Sequence, residues 1–371
     1  MIRNNKLGFG MMRLPVTNPS DAASVDFAQL EEMADLFIAS GFTYFDSAYI
    51  YHGGMSDVAI KKTLIERYDR DAFTLANKMP TFMVSAASDF DRYFSEQAER
   101  TGADYFDYYL LHDLDENNYA NMRRHGGFEY VRKLKEQGRA KCIGFSFHDK
   151  AEVLDKILTE HPEMEYVQLQ INYVDWESPA IESRKCYETA VKHGKPVIVM
   201  EPLKGGALVN IPAEAEKILK AARPSLSAAS WGIRFAASLP GVIMVLSGMS
   251  TLGQVKNNVS IMKEFQALTE PEKEVIEQVR EIIAAATAVP CTDCRYCADS
   301  CPQSIPIPDY FSLYNSHRLF GFNPIIHNYY RNLTLEYGKA SDCVTCGQCA
   351  ERCPQHIEIP EELVEVAKTF E

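Results

Sequence analysis

Eight cysteines fall after residue 290 of a 371-residue chain, and only Cys142 and Cys186 precede them. They form two runs of one spacing: Cys291, Cys294, Cys297 and Cys301, then Cys343, Cys346, Cys349 and Cys353, each C-x2-C-x2-C-x3-C followed by proline. Three thiolates separated by two residues fold around one face of a cubane cluster. The fourth reaches outward, and proline redirects the chain. Zinc normally takes paired C-x2–4-C hooks, not a triple hook with a trailing Cys-Pro, so the spacing points to two [4Fe-4S] clusters. The flanks repeat as well, Pro302-Gln-Ser-Ile-Pro-Ile-Pro308 being echoed by Pro354-Gln-His-Ile-Glu-Ile-Pro360.

Upstream, between residues 7 and 265, short β-branched or aromatic runs alternate with amphipathic stretches. Candidate strands are Leu7–Met12, Thr43–Asp46, Phe73–Asn77, Asp107–His112, Ala140–Phe145, Tyr166–Gln170, Pro196–Met200 and Val242–Leu246. Runs such as Val197-Ile-Val-Met200 suit strands buried on both faces. Phe27, Leu30, Met33, Ala34, Phe37 and Ile38 share one face of a helix ending at Gly41, and Ser56 is expected to cap a later helix. Strand–helix repeats of this number over ~260 residues predict a (β/α)8 TIM barrel. A doubly wound sheet usually carries a Gly-rich phosphate loop, and Gly8-Phe-Gly10 lacks the third glycine and a following helix. Catalytic groups of such barrels sit at the C-terminal ends of strands. Asp46 and Tyr51, Lys78 and His112 occupy those places after the second, third and fourth candidate strands.

Past residue 265 the pattern changes. Thr269-Glu-Pro-Glu272 resembles a capping box, with Val275, Val279, Ile282, Ile283 and Ala286 on one helical face. The expected organisation is a barrel over 1–266, a connecting helix over 267–289 and a smaller, mostly helical iron–sulfur domain over 290–371. Between Cys301 and Cys343 lies a 41-residue insert rich in aromatics: Tyr310, Phe311, Tyr314, Phe320, Phe322, Tyr329, Tyr330 and Tyr337. They read as a core around the clusters, or as a docking surface for the barrel mouth or a redox partner protein.

Composition bounds the function classes. Net charge is -13, which disfavours nucleic acid and anionic membrane as partners. No run approaches the ~18 apolar residues of a membrane span. The N-terminus has no apolar signal core, and ten cysteines are too few for a disulfide scaffold. A cytoplasmic protein is expected.

The C-terminal module resembles the bacterial two-cluster ferredoxins, apart from its longer insert. In those proteins the fourth cysteine of each run ligates the other cluster. The resemblance implies Cys291, Cys294 and Cys297 with Cys353, and Cys343, Cys346 and Cys349 with Cys301.

Tyr44-Phe-Asp46-Ser-Ala-Tyr-Ile-Tyr51-His-Gly-Gly, Thr74-Leu-Ala-Asn-Lys78 and Asp107-Tyr-Tyr-Leu-Leu-His112 resemble, in order, the tetrad segments of the aldo/keto reductases. The resemblance implies reduction of a carbonyl, or oxidation of an alcohol, on a small molecule. Tyr51 would be the proton donor. An unperturbed phenol titrates near ~10, and the Lys78 ammonium beside it would pull that value down. Asp46 would hold Lys78, and His112 would orient the carbonyl oxygen. No side chain supplies hydride, so NADP(H) or NAD(H) is implied. The family's pattern assigns Ser146 and Gln170 to the carboxamide, and Glu201, Pro202 and Leu203 to the pyrophosphate. It assigns Gly248, Ser250, Gln254 and Asn258 to the adenosine side, and Gly10, Met11 and Asp46 to further cofactor contacts.

The sequence departs from that pattern in three respects. Phe147 stands where Asn is common after the carboxamide serine, with His148 next to it. Met200 stands where an aromatic ring often stacks. No cation stands near Gly248 and no arginine at Gln254, where many NADPH-preferring members grip the 2′-phosphate, and nearby Lys256 reads as solvated surface, so the expectation leans away from strict NADPH dependence. Tyr49, Phe82, Asp113, Trp176 and Trp231 are candidates to line the pocket or to fill the core. Hydride moves two electrons and each cluster one, with no flavin motif to link them. Three roles stay open: electron transfer, structure, or exchange with the nicotinamide through an unrecognised flavin. The alternative to a reductase is an electron-transfer or redox-regulatory iron–sulfur protein whose barrel binds nucleotide without reducing carbonyls.

Overall fold

A computed structural model describes residues 5–285, 288–291, 295, 297–353 and 355–371. The chain divides into two compact units, one made of residues up to Asn172 with 184–203 and 229–268, the other of 173–183, 204–228 and 269–371.

The first unit holds a closed barrel of parallel strands in sequence order: β1 (Leu7–Gly10), β2 (Tyr44–Asp46), β3 (Thr74–Pro80), β4 (Phe106–Leu114), β5 (Ala140–Phe147), β6 (Tyr166–Gln170), β7 (Val197–Met200) and β8 (Val242–Gly248). β1 closes the ring on β8, with Gly8 opposite Leu246 and Gly10 opposite Gly248. Every predicted strand is present; Tyr166–Gln170 keeps its predicted bounds, and the others shift at one or both ends. Met11 and Met12 leave the first strand for a short 3-10 turn, Met11–Arg13. β3 and β4 run further than expected, so Lys78 and His112 lie within strands.

Tyr44, Ala76, Leu110, Tyr166, Ile198, Met244 and Leu246 fill the barrel interior. Alternation along each strand points these residues inward. Two glycines make room for them. A Cβ at Gly144 would stand 2.4 Å from the Tyr166 carbonyl oxygen, and one at Gly8 2.7 Å from Leu246 Cδ2. Outside the ring, helix Phe27–Ala39 is capped by Asp26, which accepts from Gln29 N–H at 3.1 Å. It buries Leu30, Met33, Ala34 and Phe37 as its periodicity predicts. Ser56 does not cap. It lies inside helix Met55–Ile60, fully buried, with its hydroxyl 2.9 Å from Ser47 Oγ.

In the second unit helix Glu270–Ala285 starts with half a capping box, since Glu272 accepts both the backbone N–H and the hydroxyl of Thr269. The cysteine module folds as helices Ile307–Phe320, Pro324–Glu336 and Ile359–Phe370 with a short helix Gln348–Glu351. The insert supplies two of these, and Tyr310, Phe311, Tyr314, Tyr329 and Tyr330 are buried core. Phe322 and Tyr337 stay exposed.

The duplication seen in the flanks recurs in the backbone. Arg295 and Gly347, each one residue past a motif's second cysteine, both have positive φ, and so do Ser304 and His356. Ser304 N–H donates to Cys301 O and His356 N–H to Cys353 O, at 3.0 and 3.1 Å. Both repeats then enter a helix with proline in its first turn. Among the described residues no helix is long and apolar enough to cross a membrane.

Candidate active site

In a closed parallel barrel all C-terminal strand ends share one rim. β2, β3 and β4 bring Asp46, Lys78 and His112 there, and the 3-10 turn Tyr51–Gly54 after β2 brings Tyr51. Lys78 is fully buried and donates to Asp46 Oδ1 and, at 2.6 Å, to the Ser47 carbonyl. Its Nζ lies 4.9 Å from the centre of the Tyr51 ring. The His112 ring meets Tyr51 edge-on at 6.0 Å. All four predicted residues thus converge.

Burial works against the Lys78 charge, but Asp46 and Tyr51 push harder the other way, so the ammonium is held above its ordinary value. His112 is held well below its ordinary value, by burial first and then by Lys78 and His148. It is therefore a neutral imidazole at pH 7, and its buried Nδ1 has no protein partner. Tyr51 corrects an expectation. Lys78 does lower the phenol, but burial is the larger effect and leaves it above the usual tyrosine value. Phe82 packs 5.9 Å from His112 and is exposed, offering an apolar wall, whereas Trp231 is core.

Of the residues assigned to a dinucleotide, Gly10, Met11, Ser146, Gln170, Glu201, Pro202, Leu203, Gly248 and Ser250 lie at or just past the ends of β1, β5, β6, β7 and β8, Asp46 ends β2, and Gln254 and Asn258 lie in helix Leu252–Lys263. Ser146 and Gln170 are buried, and Ser146 Oγ accepts from Asp113 N–H at 2.8 Å. His148 Nε2 is 3.7 Å from Asp113 Oδ1, and the Met200 sulfur accepts from Gln168 Nε2 at 3.7 Å. Met11 and Pro202 are buried, and Leu203 is partly so. Ser250 N–H donates to Gln254 Oε1 at 2.7 Å just before helix Leu252–Lys263. Asn258 turns inward instead, donating to Ser247 Oγ at 3.0 Å.

The structure also corrects the reading that no cation stands near Gly248. Barrel closure lays the stem of Arg13 on it: a Cβ at Gly248 would meet Arg13 Cδ at 3.0 Å. Ser250 Oγ donates to the Arg13 carbonyl at 2.8 Å, and the Arg13 guanidinium lies 3.7 Å from Glu201. A second residue that sequence reasoning missed is Asp57, buried behind Lys78. Its signal was an acid on the apolar side of a short helix.

The thiols surround two small pockets. One is lined by Cys291, Cys297 and Cys353 with Ile307, Phe311 and Ile359. The other is lined by Cys301, Cys343, Cys346 and Cys349 with Ile307 and Leu363. Cys294 lies outside the described residues. Among the described residues no three His, Cys, Asp or Glu side chains form a group that could hold a single metal ion. Thiols spaced around a cavity fit a cubane, which takes one thiolate on each iron.

Comparison with known proteins accords with both halves. The aldo/keto reductase family model matches residues 6–283, and a 4Fe-4S dicluster domain model matches residues 290–358. An aldo-keto reductase from Bacillus halodurans, solved in its holo form, is 23% identical, covering 74% of this chain and 91% of that one with a TM-score of 0.58. One from Klebsiella pneumoniae, solved with NADPH, is 18% identical, covering 74% and 90% with a TM-score of 0.60. At such identities the likeness is one of fold. No curated protein matches the chain at a significant level. With the family model spanning the whole barrel, the chain belongs to the aldo/keto reductase family and carries a 4Fe-4S dicluster domain at its C-terminal end.

Proposed function

We propose that the barrel interconverts a carbonyl and an alcohol on a small molecule with NADP(H) or NAD(H), Tyr51 giving the proton to the carbonyl oxygen or taking it from the alcohol. One observation carries this reading: the Lys78 ammonium, ion-paired to Asp46, lies over the Tyr51 ring. The dinucleotide, when bound, supplies or accepts the hydride. As the phenol proton leaves, the ammonium stabilises the phenolate, and Asp46 keeps that ammonium in place. Neutral His112 is suited to donate a hydrogen bond to the substrate oxygen. Ser146 and Gln170 are suited to the carboxamide. Gly10, Met11, Glu201, Pro202, Leu203, Gly248, Ser250 and Gln254 line the rim where the rest of the cofactor would lie.

In the same reading Cys291, Cys294, Cys297 and Cys353 hold one [4Fe-4S] cluster, and Cys343, Cys346, Cys349 and Cys301 a second. Clusters held by these thiolates would supply single-electron exchange, for instance with a redox partner protein, or would brace the unit. A reducing cytoplasm suits eight such thiolates. The direct test is Tyr51→Phe, which should bind dinucleotide as before and lose turnover; undiminished turnover would refute the reading.

Arg13 bears on which dinucleotide is used. Its guanidinium is partly exposed and only loosely paired to Glu201, so it is free to meet a 2′-phosphate beside Gly248. A charge-assisted bond of this kind is worth about 1.5–3 kcal/mol, or roughly 10- to 100-fold in affinity. Arg13→Ala is expected to raise the Kd of NADPH by about that factor and leave NADH nearly unchanged, as read by titration of cofactor fluorescence. Equal weakening of both would place Arg13 elsewhere.

A further inference from the structure

We propose that Asp57 is a positioning residue of the proton-donor site, its carboxylate holding, through Ser47 and Asn77, the two chain segments that fix the Lys78 ammonium. This rests on the reading of Tyr51 and Lys78 given above and extends it one layer inward.

Asp57 lies on helix Met55–Ile60 and is fully buried. Its Oδ1 accepts from Ser47 Oγ at 2.8 Å and from Asn77 Nδ2 at 3.0 Å. Ser47 follows Asp46, and its carbonyl is the second acceptor of the Lys78 ammonium, at 2.6 Å. Asn77 precedes Lys78, and its Oδ1 accepts the Lys78 backbone N–H at 2.9 Å. Gln97 completes the frame: its Nε2 donates to Asn77 Oδ1 at 2.7 Å and to the Lys78 carbonyl at 2.9 Å, while its Oε1 accepts from the Tyr109 hydroxyl at 2.7 Å. One carboxylate therefore anchors both the backbone and the charged end of Lys78. Such anchoring matters because proton transfer depends on sub-ångström placement of the groups around it.

The groups facing Asp57 are Lys78 from β3, Arg100 from helix Ser88–Thr101, Tyr109 from β4, and the Ser47 and Asn77 donors. Burial outweighs all of them and raises the carboxyl to about 6. Its Oδ2 is buried without a partner. At pH 7 the charged form makes two charge-assisted bonds, which are about twice as strong as neutral ones. As pH falls through 6 Asp57 takes up a proton, those bonds weaken, and the hold on Ser47 and Asn77 slackens. An asparagine would mimic the protonated state, keeping an acceptor at Oδ1 without charge.

The experiment is the pH profile of kcat between pH 5 and 8 for wild type, Asp57→Asn and Asp57→Ala, with dinucleotide Kd measured on each. Asp57→Asn should lower kcat at pH 7.5 by about three- to tenfold and abolish the acid limb, so that wild type converges on it below about pH 6. Asp57→Ala should fall further, by about 10- to 100-fold, with dinucleotide Kd changed less than about twofold. An Asp57→Asn profile that superimposes on wild type overturns the proposal, and this variant decides alone if Asp57→Ala does not fold. Tyr51→Phe is run in parallel. Full activity there strikes the Tyr51 reading, whereas an inactive Tyr51→Phe beside an unaltered Asp57→Asn strikes only the role of Asp57.

Discussion

Tyr51→Phe is expected to lower kcat for carbonyl reduction by roughly 100- to 10,000-fold, the range that a positioned general acid contributes. The change removes one oxygen from a ring packed against His112 and over the Lys78 ammonium, so cofactor affinity and thermal stability should barely move. The loss should be nearly as large for Lys78→Met, because an unassisted phenol in a buried site resists losing its proton. The two changes together should cost little more than either alone, since both disable one step. Turnover by Tyr51→Phe within a few-fold of wild type would leave the Tyr51–Lys78–Asp46 arrangement without a catalytic role.

The second large effect concerns the thiols. Each single variant, Cys297→Ala, Cys349→Ala or Cys353→Ala, is expected to halve the iron and sulfide content and remove one of two cluster signals. The crossed ligation makes a sharper claim. Cys353 lines the cavity of Cys291 and Cys297, although its sequence neighbours Cys346 and Cys349 line the other. The Cys297→Ala, Cys353→Ala double variant should therefore retain half the iron. The Cys349→Ala, Cys353→Ala double variant should lose nearly all of it. The reverse pattern would show that each run holds its own cluster. Stability should fall as well, because both cavities sit among the core side chains Ile307, Phe311 and Leu363. A cavity lined by such groups is destabilising when empty.

Much of this was legible in the sequence because its signals are local. Parallel strands buried on both faces read as short apolar runs, so all eight appear, and the cysteine spacing is a covalent fact of the chain. Strand ends were less legible where chemistry sits. Lys78 and His112 are polar residues inside β3 and β4, and polar residues look like strand ends. Ser56 looked like a helix cap because its buried partner, Ser47, is brought to it only by the turn after β2. Arg13 was invisible as a neighbour of Gly248 because only closure of β1 on β8 joins positions so far apart. The phenol of Tyr51 shows the same limit in energetics: the charge beside it was readable, but the larger cost of burial depends on packing.

Replacing Tyr51 by a fluorinated tyrosine of lower intrinsic pKa tests most directly whether its phenol is the proton donor. Reduction needs the protonated phenol, so activity disappears as pH rises through its pKa. The alkaline limb of kcat/KM for carbonyl reduction should move to lower pH by about the difference in acidity between the two phenols. A limb that stays where it was would mean that another group supplies the proton.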